Sequence, residues 1–142
     1  ARRGRGFAYD PARWNASELS TWDTLAQEDK TGEICVRSSS NIYNLSLMSE
    51  LLDRYGEEAA QNWATAIVAN MARDPQGGDT DQIRAIAAGE CSIAIVNHYY
   101  WIRLGASESE AEQQVAASTS FVVPEFVEGS GSHVNITGIA VT

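Results

Sequence analysis

The stretch CSIAIVNHYYW, residues 91 to 101, joins a nearly continuous apolar run to two adjacent tyrosines. An apolar run such as CSIAIV is typical of a central strand that is covered by helices on both faces. Two neighbouring phenols cannot both face the core of a strand, because successive side chains point to opposite faces. The stretch therefore predicts a buried strand, with Tyr99 and Tyr100 at its carboxyl end, where ligands commonly bind in α/β sheets.

Strand-like and helical runs alternate around this strand. Further strands are predicted at RGFAYD (5–10), EICVR (33–37), FVVPEF (121–126) and HVNITGIAV (133–141). Helices are predicted from Leu45 to Tyr55 with a stop at Gly56, from Glu57 to about Met71, from an N-cap at Asp79 to Gly89, and after Ser107. This alternation predicts an α/β three-layer sandwich with a mixed, mostly parallel central sheet.

Composition and charge narrow the possible functions. A chain of 142 residues with 44% hydrophobic residues has the size and apolar content of one domain, predicted to span 1–142. The formal net charge of -9 opposes binding to nucleic acid and suits a cationic ligand. RRGRG, residues 2 to 6, is interpreted as a chain end with solvated arginines. Both ends are expected to be cut from something longer.

A tyrosine follows each of two predicted strands at the same spacing from a cysteine. Tyr43 lies 8 residues after Cys35, and Tyr99 lies 8 residues after Cys91. If the two strands are neighbours, three phenols can converge on one point. Phenolate oxygen is a hard anionic ligand and selects a hard cation such as Fe3+. Ionising each phenol at pH 7 costs roughly 4 kcal/mol, which only a strongly charged metal offsets.

A structural alternative stays open for the tyrosine pair. A Tyr-Tyr dipeptide at the end of a strand commonly has one ring packed and the other half exposed. Spacing and chemistry do not decide between the two interpretations.

Several long segments of the chain resemble a known family. They are CVRSSSNIYNLSL, PQGGDTDQIRAIAAGEC, IAIVNHYYW and GSHVNITGIAVT, in this order. They are similar to the ferric-iron-binding periplasmic proteins of ABC-type iron uptake, the FbpA/FutA-like family, from about Asn15 to Thr142. The resemblance implies one lobe of a type II periplasmic binding protein, the inserted second lobe without its partner lobe. It also implies that Tyr99 and Tyr100 bind Fe3+, and Tyr43 indicates the tyrosine-rich branch.

The resemblance further implies a small anion, such as carbonate, beside the iron. Candidate anion-binding residues are Arg37, Ser38, Ser39 and Asn41, which lie in a loop that leads into a helix. The alternative is that these residues only cap the helix and fix the loop. Asn97 and Asp79 are expected to flank the site without acting as ligands.

The histidines and cysteines are assigned structural roles. Strand alternation predicts that His98 points away from Tyr99, and His133 is expected to be structural. By sequence alone, Cys35 and Cys91 form either a structural pair or two inert thiols. In the periplasm that the resemblance implies, a disulfide between them would stabilise the fold by roughly 4 kcal/mol.

These expectations together describe a binding protein and not an enzyme. No G-x-S-x-G elbow, phosphate-binding loop or HExxH motif is present in the sequence. The predicted function is periplasmic ferric iron binding, with delivery to an ABC transporter permease in the inner membrane. The alternative is a lobe that binds a small oxyanion, with the tyrosines as hydrogen-bond donors.

Overall fold

In the computed structural model, which describes residues 1–140, five strands form one sheet. The strands are β1 (Arg2–Tyr9), β2 (Ile34–Cys35), β3 (Ile93–Asn97), β4 (Ser120–Val122) and β5 (Val134–Ile136). Their order is β2-β3-β1-β4, and β5 pairs with the amino half of β1. Val141 and Thr142, which end the predicted domain 1–142 and its last extended segment, lie outside the described residues.

The sheet is mixed, as predicted, but the expectation that it is mostly parallel is wrong. Among the described pairings, β2 with β3 is parallel, whereas β1 is antiparallel to β3, β4 and β5. Helical crossovers connect β2, β3 and β4 and give these three strands one direction. No such crossover sets the direction of β1, which precedes them in the chain and lies reversed between β3 and β4.

Within residues 1–140, four α-helices and three short 3-10 helices cover the two faces of the sheet. The α-helices are α1 (Ile42–Asn70), α2 (Asp79–Ala87), α3 (His98–Gly105) and α4 (Glu110–Ala117), and the 3-10 helices are Ala16–Leu19, Trp22–Ala26 and Glu28–Lys30. Gly56 interrupts α1 with a positive φ of 82°, where the sequence predicted a stop. The predicted N-cap of α2 is wrong by one residue, because Gly78 is the N-cap and Asp79 is the first helical residue.

Alternation along the strands divides the core into two apolar clusters. One face of the sheet carries Phe7 and Ile95 and packs against α1 and the 3-10 helices, where Trp22 lies edge-on to Phe7 with ring centroids 4.9 Å apart. The other face carries Ala8 and Val96 and packs against α2, α3 and α4. These two layers of helices confirm the predicted α/β architecture.

A disulfide joins two neighbouring strand segments on the second face. Cys35 on β2 and Cys91, just before β3, are bonded, with Cα atoms 5.9 Å apart. Among the described residues, no helix combines the length and the apolar character needed to cross a membrane.

Candidate functional site

The three tyrosines lie in the first turns of two helices that begin at one edge of the sheet. Tyr43 is in the first turn of α1, and the side chain of Asn41 caps that helix by accepting the Tyr43 N–H at 3.0 Å. Tyr99 and Tyr100 are in the first turn of α3. The sequence placed this pair at a strand end, but β3 ends at Asn97 and the chain turns directly into the helix. Because β2 and β3 are adjacent and parallel, both helices begin at the same edge.

The phenolic oxygens of the three tyrosines form one cluster. Tyr99 Oη donates to Tyr43 Oη at 3.1 Å, and the Oη atoms of Tyr43 and Tyr100 are 3.4 Å apart. The rings of Tyr99 and Tyr100 are tilted by 33°, with centroids 4.4 Å apart. All three residues are half-buried. We call these three residues the tyrosine cluster.

Guanidinium groups surround the rings of the tyrosine cluster. Arg3 and Arg103 lie 5.9 and 5.1 Å from the centroid of the Tyr99 ring. Arg103 also lies 5.9 Å from the Tyr100 centroid. Arg5 and Arg37 lie 5.8 and 5.4 Å from the Tyr43 centroid. A cation near an aromatic ring is attracted to its π electrons, and it favours a negative charge on the phenol. The cluster is therefore locally cationic in a chain whose formal net charge is -9.

The pKa values of Tyr99 and Tyr100 move in opposite directions. Burial alone would raise the pKa of Tyr99, but hydrogen bonds with Tyr100, Tyr43 and Asn97, together with the charge of Arg3, lower it below the usual value. Burial raises the pKa of Tyr100, and its hydrogen bonds with Tyr43 and Tyr99 raise it further. Tyr99 is therefore the phenol of this pair that ionises first.

A buried polar network that the sequence analysis missed lies beneath the cluster. Asp79 pairs with Arg5 at 3.4 Å and with Arg37 at 3.2 Å, and it accepts the Asn97 N–H at 2.8 Å. Arg5 also donates to Asn97 Oδ1 at 3.0 Å and to the side chain of Asn44. Arg5 is 0% exposed, so the interpretation of RRGRG as solvated arginines is wrong for this residue.

Alternation in β1 is the signal that could have found Arg5. The residues at positions 5, 7 and 9 share one face of the strand, and Phe7 and Tyr9 on that face are apolar and buried. Charged residues are rarely buried unless they are paired, and the acidic partner of Arg5 lies 74 positions away in the sequence.

Three of the four candidate anion-binding residues already have partners within the chain. Arg37 pairs with Asp79, Ser38 Oγ is 2.8 Å from Ser40 Oγ, and Asn41 caps α1. Ser39 is exposed at the rim. This geometry agrees with the capping alternative for Ser38 and Asn41.

The two histidines contact backbone and neighbouring helices. His98 Nδ1 lies 3.1 Å from both the backbone N and the backbone O of Gly4 on β1, and the His98 ring lies edge-on to the Tyr99 ring with centroids 5.8 Å apart. The prediction that His98 points away from Tyr99 is therefore wrong, because both residues lie in a helical turn and not in an alternating strand. His133 is buried and bonds through Nδ1 to Glu50, while its Nε2 is 3.3 Å from Ser46 Oγ.

Imidazole, thiolate and carboxylate groups do not form a competing metal site in residues 1–140. No group of three or more His, Cys, Asp or Glu side chains is arranged there to hold a metal ion.

Known proteins resemble the chain over nearly its whole length, although no family model matches it. Iron uptake protein A2 of Synechocystis sp. is 44% identical over 141 residues, which are 99% of this chain and 41% of that protein. The chain therefore spans about two fifths of the length of the curated relatives it matches, 41% of one and 39% of another.

Solved structures of iron-binding proteins share the fold. The Trichodesmium protein (IdiA, FutA) in complex with iron and citrate ligands superposes with a TM-score of 0.92 at 43% identity, over 96% of this chain and 43% of that one. The ferric binding protein from Campylobacter jejuni superposes with a TM-score of 0.88 at 32% identity, over 95% and 43%. By sequence and by fold, the chain is similar to one part, about two fifths of the length, of the iron uptake and ferric binding proteins of the FbpA/FutA-like family.

Proposed function

We propose that the chain binds ferric iron through the phenolate oxygens of Tyr43, Tyr99 and Tyr100. The observation that carries this proposal is the convergence of three phenolic oxygens from two distant segments, 3.1 and 3.4 Å from Tyr43 Oη. Hydroxyls this close compete for shared protons when no metal is bound. A trivalent cation replaces those protons and satisfies all three oxygens at once.

Chemistry favours Fe3+ over other cations at this cluster. Phenolate is a hard oxygen ligand, while Ca2+ and Mg2+ are ordinarily held by carboxylates and carbonyls. The neighbouring guanidiniums, with Arg103 5.1 Å and Arg3 5.9 Å from the Tyr99 ring, stabilise the anionic form that a metal requires. The relatives named for iron uptake or ferric binding support the same cargo.

The chain acts, in this proposal, as one lobe of a periplasmic substrate-binding protein that delivers iron to an ABC transporter permease. Coverage of about two fifths of the relatives' length, 41% and 39%, supports a single lobe. A second lobe would close over the tyrosine cluster and supply a further ligand. A small anion such as carbonate, held by Arg37 and the exposed Ser39, would complete the coordination.

A ferric titration tests the proposal. Adding a ferric chelate to the purified chain is expected to produce a visible phenolate-to-iron charge-transfer band that saturates at one iron per chain. Tyr43→Phe is expected to weaken the band and reduce affinity. Tyr55→Phe is the matched control, because Tyr55 is also on α1 and is 40% exposed outside the cluster. A wild-type chain that develops no colour contradicts the proposal.

A small oxyanion is the second candidate ligand. The four guanidiniums near the tyrosine rings favour it, since arginine is well suited to bind oxyanions. In that case the phenols would donate hydrogen bonds and keep their protons. Calorimetric binding of carbonate or phosphate by the iron-free chain, without a charge-transfer band on ferric titration, would favour this candidate.

A further inference from the structure

One buried carboxylate contacts each segment that carries the tyrosine cluster. Asp79 Oδ2 is 3.4 Å from Arg5 Nη1 on β1, and Oδ1 is 3.2 Å from Arg37 Nη1 in the loop that leads to Tyr43. Oδ2 also accepts the backbone N–H of Asn97, the residue that begins the turn into α3, at 2.8 Å. The side chain of Asp79 is 0% exposed. Three chain segments are therefore joined at one side chain.

The partners of Asp79 are also the neighbours of the phenols. The guanidiniums of Arg37 and Arg5 lie 5.4 and 5.8 Å from the centroid of the Tyr43 ring. Asn97 Nδ2 lies 3.4 Å from Tyr99 Oη and donates to it. Among the described residues, Asp79 makes no hydrogen bond to a phenol, but it bonds to neighbours of Tyr43 and to a neighbour of Tyr99.

Burial makes this arrangement specific. A charge that is out of contact with water must be paired, and a carboxylate between two guanidiniums has few geometries that satisfy all three groups. Asn44 fixes the network on its α1 side, because its side chain accepts from Arg5 and donates to the backbone oxygen of Arg37 at 3.0 Å. The first turns of α1 and α3 are therefore held together by charge pairing as well as by the sheet.

We propose that Asp79 is the positioning residue of the tyrosine cluster. Through Arg5, Arg37 and Asn97, Asp79 sets the separation between Tyr43 and the Tyr99–Tyr100 pair. The effect of Asp79 on ferric affinity rests on the proposed function. Its geometric claim concerns the iron-free chain and is tested separately.

The geometric test measures nuclear Overhauser effects between the ring protons of Tyr43 and Tyr99 in the iron-free chain. The wild type is expected to show them, and Asp79→Asn, which keeps the shape but removes the charge, is expected to lose them. The matched control is Glu33→Gln, since Glu33 is a buried carboxylate paired with Arg13 at the opposite end of β2. Tyrosine ring contacts that persist in Asp79→Asn overturn the proposal.

The functional test compares ferric affinity by chelator competition. Residues that orient metal ligands typically change affinity about 10- to 100-fold when replaced, so Asp79→Asn is expected to bind iron at least 10-fold more weakly. Glu33→Gln is expected to stay within about twofold of the wild type at matched folded fraction. Unchanged ferric affinity in Asp79→Asn overturns the positioning role. A wild-type chain that does not bind iron contradicts the proposed function, but the geometric test remains valid.

A charge-balanced variant covers the case in which Asp79→Asn does not fold. Asp79→Asn combined with Arg37→Gln removes one charge of each sign from the same place, and it is expected to fold without the ring contacts. Arg37→Gln alone is expected to keep them, because Asp79 still holds Arg5 and Asn97. Ring contacts in the double variant, or their loss in Arg37→Gln alone, overturn the proposal.

Discussion

The two ends of the parallel pair β2 and β3 both carry buried polar clusters, but the clusters differ in charge balance. At the amino end, the carboxylate of Glu33 accepts from Arg13 and from Ser92, and Ser92 Oγ accepts from Trp14 Nε1 at 2.7 Å. We call this the closed end. At the carboxyl end, which we call the tyrosine end, one buried carboxylate faces two guanidiniums.

The two ends also differ in how completely their buried donors are hydrogen-bonded. Among the described residues, the buried Nε atoms of Arg5 and Arg37 have no hydrogen-bond partner. Unpaired buried donors destabilise a fold and are commonly explained by a ligand or a functional constraint. The closed end therefore stabilises the fold, while the tyrosine end carries excess cationic donors that favour anionic phenolates.

The largest expected effect comes from breaking the tyrosine end directly. Tyr99→Phe combined with Tyr100→Phe removes two of the three proposed ligands. Replacing a residue that only orients a metal ligand lowers metal affinity by up to about 100-fold. Loss of a direct ligand is expected to lower it at least as much, so the loss of two should lower ferric affinity at least about 10,000-fold. The measurement is chelator competition, with circular dichroism as the control for folding. A folded double variant that keeps its charge-transfer band would contradict phenolate binding by this pair.

The next effect concerns the disulfide near the closed end. Replacing Cys35 and Cys91 by alanine opens a loop with a sequence separation of 56 and is expected to lower the free energy of unfolding by about 4 kcal/mol in the chain-entropy model. Urea unfolding measures this loss. Below the unfolding transition the variant should bind iron as the wild type does, because neither sulfur is part of the tyrosine cluster. Weaker iron binding by the folded variant would show that the two ends are coupled.

A pH series should change ferric affinity at the tyrosine end without any substitution. Each phenol releases its proton when it binds the metal, so lower pH favours the protonated, metal-free form and affinity must fall. The raised pKa of Tyr100 means that at least one proton is released throughout pH 5 to 8. The expected slope is therefore at least about tenfold in affinity per pH unit, or about 1.4 kcal/mol per unit and about 4 kcal/mol over the three units. Affinity that is independent of pH in this range would rule out phenolate ligands.

The smallest expected effect is at the closed end itself. Glu33→Gln removes a buried charge that Arg13 and Ser92 contact, and it should lower the free energy of unfolding by about 2 kcal/mol. Thermal or urea unfolding detects this change, and ferric affinity should remain within about twofold. A larger loss of affinity than of stability would mean that the closed end also shapes the tyrosine cluster.

Much of the fold could be predicted because its signals are local. The apolar run of β3, the stop at Gly56 and the matching tyrosine offsets each lie within a few residues of what they predict. The direction of β1 is not local, because it depends on pairings with strands that follow much later in the chain. Alternation patterns indicate which residues share a face, but not which way a strand runs.

The site was predicted in the same uneven way. The convergence of Tyr43 with Tyr99 follows from two neighbouring strand exits, and the sequence contains both. The burial of Arg5 and its pairing with Asp79 were missed, because a charged residue alone is ordinarily assigned to solvent. Only their mutual pairing across 74 positions makes burial favourable.

Three helices begin at the tyrosine end: α1, α2 and α3. Aligned peptide dipoles place roughly half an elementary positive charge at the N-terminus of a helix. This contribution belongs to the backbone, so no side-chain replacement removes it and no change of pH titrates it. A variant that lacks Arg3 and Arg103 would therefore still present a positive field to the phenols, from these helix N-termini as well as from Arg5 and Arg37.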